Sequence, residues 1–91
     1  ADFDAALKQK ANYTLAMNNM ASVYIKKKDY KSAIDWANKA IQADAKLGAA
    51  YVNRGIAKQM LKDEDGACAD WKKASEIGTP EGKRYKSGFC D

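Results

Sequence analysis

Apolar residues recur along this chain three and four positions apart. Met17, Met20, Ala21 and Tyr24 form one such stripe, and Ala33, Trp36, Ala37, Ala40 and Ile41 form a second. That spacing places side chains on one face of an α-helix. Lys26, Lys27 and Lys28 end the first stripe and Asp29 opens the second. Basic residues at a helix end and an acid at the next helix start suit both helix dipoles. The pattern predicts two helices joined by a short turn, with the lysine run as a solvated helix end.

The hairpin occurs twice. Asp29 aligns with Asp63, Ala33 with Ala67, Lys39 with Lys73 and Ala40 with Ala74, each pair 34 residues apart. The same offset carries Ala16 onto Ala50, Met17 onto Tyr51 and Asn19 onto Asn53, so both helices of the unit share the period. Residues 14–47 read as one repeat and 48–81 as the next. Run backwards, the period sets Phe3, Ala6 and Leu7 against Ala37, Ala40 and Ile41. Residues 1–13 are therefore expected to be helical. They are either the remnant of an earlier repeat in a longer array or a purpose-made cap over the first apolar edge. After Gly78-Thr79-Pro80, Tyr85 and Phe89 stand four apart, which predicts a capping helix over 82–91 at the end of the array. The expected fold is all-α: one domain of two helical hairpins with a flanking helix at each end.

The second unit has Tyr51, Arg54-Gly55, Ala67, Trp71, Ala74 and then Pro80, in the order large, small, small, aromatic, small and proline. The first keeps Ala21, Tyr24, Ala33 and Ala40 but has Met17, Ala37 and Ala45 where the second has Tyr51, Trp71 and a nearby proline. With its 34-residue period, the chain resembles the tetratricopeptide repeat family in its bacterial form, as a piece of a longer protein. The resemblance covers two units. It implies an αα-hairpin solenoid whose first helices line a concave face.

Composition narrows the chemistry. Of 91 residues, 46% are hydrophobic and 31% charged, with one proline, as expected of a single ordered domain. Histidine is absent, which removes Ser-His-Asp and Cys-His catalysis and histidine metal ligands. No nucleophile elbow or Gly-rich phosphate loop is present, so no enzymatic role, metal or cofactor is expected. The net charge of +4 favours acidic partners, but the charges alternate in sign instead of forming a nucleic-acid footprint. The longest uncharged run ends at Ile25 and falls short of the roughly 20 apolar residues of a membrane span. The opening A-D-F-D carries no signal pattern, so any export signal is expected to have been removed or to lie outside this sequence.

Several residues invite a structural reading. Cys68 lies nine residues before Ile77, and Cys90 nine after Glu81, so an antiparallel helix pair with arms of roughly 13 Å would bring the thiols level. A bond between them would contribute on the order of 3 kcal/mol and imply a periplasmic or extracellular setting. The alternative is two reduced thiols in a cytoplasmic protein. Arg54 and Asp70 replace Met20 and Trp36 of the other unit, an apolar pair exchanged for an ion pair, and are expected to touch inside their hairpin. Gly55, opposite Ala21 in register, is expected at a close helix crossing. Trp36 and Trp71 are expected in the core.

What the resemblance implies about binding falls on the first helix of each unit. Off the core stripe these present Asn18, Asn19, Ser22, Ile25 and Lys26 in one repeat, and Val52, Asn53, Ile56, Gln59 and Met60 in the next. Amides at Asn19 and Asn53 can both donate to and accept from an extended peptide backbone, or are simply polar residues on an exposed face. Asn18 and Ser22 stand where the family's carboxylate-clamp subset needs a lysine and an asparagine, so that specificity is not expected. The expected function is non-catalytic binding of a protein or peptide, acidic ones favoured by charge. The alternative is a structural or self-associating domain of a larger, cell-envelope protein. Neither nucleic acid nor membrane insertion is expected.

Overall fold

The computed structural model describes residues 2–90, with side chains described from Tyr13 to Cys90. It contains α1 (Asp2–Lys26), α2 (Tyr30–Ala43), α3 (Gly48–Met60), α4 (Glu64–Ile77) and α5 (Pro80–Phe89), with no strand among the described residues. None of the helices is long and apolar enough to cross a membrane.

The two tight turns are built alike. Lys28 and Lys62 both adopt left-handed backbone, with φ of 64° and 68°. Behind the first, the Asp29 N–H reaches back to the Tyr24 carbonyl at 2.9 Å and the Lys28 N–H to that of Ile25 at 3.0 Å. The Asp63 and Lys62 N–H groups repeat this on Lys58 and Gln59 at 2.8 and 2.9 Å. These paired bonds satisfy the last carbonyls of the departing helix. The next residue caps the arriving one: Asp29 accepts from the Ser32 N–H, and Asp63 from the Gly66 N–H. One turn chemistry, repeated 34 residues apart, closes both hairpins.

Each helix packs on the next in sequence, and α1, α3 and α5 also pack on one another in that order. These three form one layer and α2 and α4 the other. Positions in register share their surroundings: Ala33 and Ala67 are 1% and 0% exposed, and Ala40 and Ala74 are both fully buried. Met17, Ala40 and Ala50 meet where α1, α2 and α3 converge, and Tyr51, Val52 and Ala74 meet between α3 and α4. Small residues let the backbones approach closely. A Cβ on Gly55 would lie 2.5 Å from the Trp71 indole nitrogen, and one on Gly82 would lie 2.5 Å from the Ala74 methyl and 2.8 Å from the Ser75 nitrogen.

The ends differ from expectation in their boundaries. Helix α1 runs unbroken through Tyr13 and Thr14, where a leading helix was to give way to the first repeat. No glycine or proline between Asp2 and Lys26 stops it. Phe3, Ala6 and Leu7 lie outside the residues whose side chains are described. At the other end α5 starts at Pro80, whose missing N–H and fixed φ suit a first helical position. It also keeps the period: Thr14, Gly48 and Gly82 are all buried, and Tyr85 follows Met17 and Tyr51 into the core side.

Candidate functional site

The polar cluster on the α1, α3 and α5 layer is organised by Asn53. Its Nδ2 donates to Asn18 Oδ1 at 2.8 Å and to Ser22 Oγ at 3.1 Å, with the Asn18 carbonyl at 3.5 Å. Asn53 therefore spends its donor side tying α3 to α1. Asn18 is 8% exposed, so it is a buried acceptor and not a free groove side chain. Asn19, the register mate of Asn53, is exposed on the outer side of α1. The two amides share a position in the repeat but not an environment, because only α3 has a helix laid against that side.

Beside this cluster lies a groove of about 250 Å³ lined by Asn18, Ser22, Ala49, Val52, Asn53 and Glu81. It draws on all three helices of the layer. Of the residues expected to form a binding face, Asn18, Ser22, Val52 and Asn53 are gathered here. Asn19, Lys26, Ile56 and Met60 do not line it, and Gln59 lines a separate cavity with Trp71 and Phe89. Ala49 and Glu81 were missed by sequence reasoning. The 34-residue period gave no signal for Glu81, because its register mate Leu47 packs against the core and does not line the groove.

Arg54 is held on every side. Nε and Nη2 bind Asp70 Oδ2 and Oδ1 at 2.9 and 2.7 Å, and Nη1 binds Asn38 Oδ1 at 2.9 Å. Lys58 Nζ stands 3.1 Å from Asp70 Oδ2, so the buried carboxylate serves two cations. The guanidinium also lies 5.3 Å from the centre of the Tyr51 ring. The hydrogen bond to Asp70 is the main cause that raises the Arg54 pKa above its ordinary value; burial opposes it and the Asp70 charge adds to it. With its Nε–Nη2 fork spent on Asp70 and an Nη1 N–H on Asn38, Arg54 is a structural residue.

Between the first half of α4 and the end of α5, the Cys68 and Cys90 sulfurs are 2.09 Å apart, at disulfide distance. Next to them Trp71, 1% exposed, stacks on Tyr85 at 5.1 Å and meets Phe89 at 5.6 Å. Its indole N–H points to the Val52 carbonyl at 3.4 Å. This aromatic set holds α5 on α4. Trp36 packs against the Met17, Ala40 and Ala50 core as a half-buried residue, with Lys39 Nζ 4.5 Å from the ring centre. No protein-family model and no curated protein matches the chain.

Proposed function

We propose that the chain is a non-catalytic protein-binding module of the tetratricopeptide-repeat type, which takes an extended peptide across the layer of α1, α3 and α5. The observation that carries this reading is the groove in which Asn18, Ser22, Ala49, Val52, Asn53 and Glu81 come together from three helices. Val52 and Ala49 supply apolar contact, while Asn53, fixed by its own hydrogen bonds, keeps the wall in one conformation. A wall that is already ordered loses little entropy on binding. Glu81 is the charged residue of this lining, and no lysine or arginine joins it. A preference for acidic peptides would therefore come from the net charge of +4 acting at long range and not from groove contacts. A Cys68–Cys90 bond fits a module that works in an oxidising compartment.

The test is selection of a displayed random peptide library on the chain and on Ala49→Trp. Ala49 is exposed, so the indole fills the groove without entering the core. Peptides enriched on the parent chain and lost on Ala49→Trp would support the reading. Absence of enrichment, or equal binding to both, would refute it.

A further inference from the structure

Tyr13, Leu15 and Val23 are exposed large apolar residues on a single helix, α1. Leu15, 50% exposed, and Val23, 39% exposed, flank Asn19 along one stripe with Ala16 beside them. On α3 the residues that correspond to Ala16, Asn19 and Val23 form an interface, while Ala49, the mate of Leu15, is exposed at its edge. Ala50 is buried against Met17 and Ala40, Ala57 is fully buried, and Asn53 donates to Asn18 and Ser22. Among the described residues of α1, the positions that α3 buries on its neighbours, Ala16, Asn19 and Val23, are exposed.

Two features say what covers it. Leu15 and Val23 are each four residues from Asn19. Two copies of α1 laid antiparallel about Asn19 would set Leu15 of each against Val23 of the other. The two Asn19 amides would meet on the axis, each able to donate and accept. An asparagine at the centre of an apolar helix seam is a known means of fixing register. Head-to-tail stacking is disfavoured by the far end of the chain. The acceptors that Asn53 uses on α1, Asn18 and Ser22, are replaced in register on α5 by Lys86 and Cys90. A lysine ammonium has no acceptor to offer an incoming amide.

We propose that a second copy of this chain occupies the stripe, with two α1 helices paired antiparallel about Asn19 in a symmetric dimer. Successive helix residues point about 100° apart, so Asn18 and the groove lie beside the seam and stay open in both copies. The dimer would present two grooves.

Sedimentation equilibrium from about 10 μM to about 1 mM tests this, together with Val23→Glu and Asn19→Cys. The chain mass of 10.0 kDa should rise toward twice that value with concentration. Val23→Glu, at an exposed site, should keep the parent melting curve and weaken pairing at least about tenfold, because two carboxylates enter the apolar seam. Asn19→Cys should cross-link between copies under mild oxidation faster than Ala69→Cys, an exposed control on α4. A chain that stays monomeric throughout, a Val23→Glu dimer as strong as the parent, or equal cross-linking at both positions would overturn the proposal.

Discussion

The side-chain nitrogen of Asn53 lies 2.8 Å from the side-chain oxygen of Asn18, joining two helices that are 35 residues apart in sequence. Ser22 accepts from the same nitrogen, so one amide sets the spacing of α1 and α3 at the groove wall. Asn53→Ala leaves the buried Asn18 oxygen without its donor and should cost about 1–2 kcal/mol in denaturant unfolding. Asn19→Ala, at the exposed register mate, should stay within about 0.5 kcal/mol of the parent chain.

The Asp70 carboxylate is 5% exposed and holds both Arg54 and Lys58. Asp70→Ala leaves two cations unpaired at a hairpin interface and should cost about 3 kcal/mol in the same measurement. Replacing the pair together, as Arg54→Met with Asp70→Leu, removes the buried charge instead of stranding it. That double variant should fall within about 1 kcal/mol of the parent, far from the sum of the single losses. Because the Arg54 pKa is raised, its contribution is complete below the ordinary guanidinium pKa. It is lost only as pH rises through the raised value, so stability from this source should be flat across neutral pH.

Gly55 gives the Trp71 indole its place. Alanine in a helix interior is worth about 1 kcal/mol over glycine, yet Gly55→Ala should destabilise by about 1–3 kcal/mol. The added methyl would meet the indole nitrogen at 2.5 Å, with Trp71 closed in behind by Tyr85. Thermal unfolding of the variant decides the sign.

The cysteines close a loop of 22 residues between α4 and the end of α5. Intact mass with and without reductant should differ by about two units, the hydrogens taken up when one disulfide opens. Removing the bond as Cys68→Ser with Cys90→Ser should lower stability by about 3 kcal/mol. The loss should fall mainly on α5, where Phe89 is 59% exposed and gains little from burial.

Helical hairpins were legible because their signals are local or strictly periodic. Ala33 with Ala67 and Ala40 with Ala74 announce buried crossings by size and offset alone, and the cysteine pair follows from equal arm lengths on adjacent helices. Exchange of Met20 and Trp36 for Arg54 and Asp70 signalled a contact between the latter two, since each residue makes sense only with the other. Asn38 was not legible as a further partner, because its part depends on how far α2 and α3 slide along each other, whereas Lys58 stands one helical turn after Arg54 on the same face of α3. The groove was half legible for the same reason. Repeat position made Asn19 and Asn53 look equivalent, but burial of one and exposure of the other depends on which helix has a neighbour. The left-handed turns at Lys28 and Lys62 gave no residue signal, since glycine or asparagine is the usual mark of that conformation.

Amide chemical-shift mapping of the labelled chain, titrated with a peptide enriched on it, bears on the groove itself. Shifts should concentrate on Ser22, Ala49, Val52, Asn53 and Glu81, across three helices of one layer. Shifts confined to α2 and the outer side of α4, with these five amides unmoved, would mean that the working surface lies elsewhere.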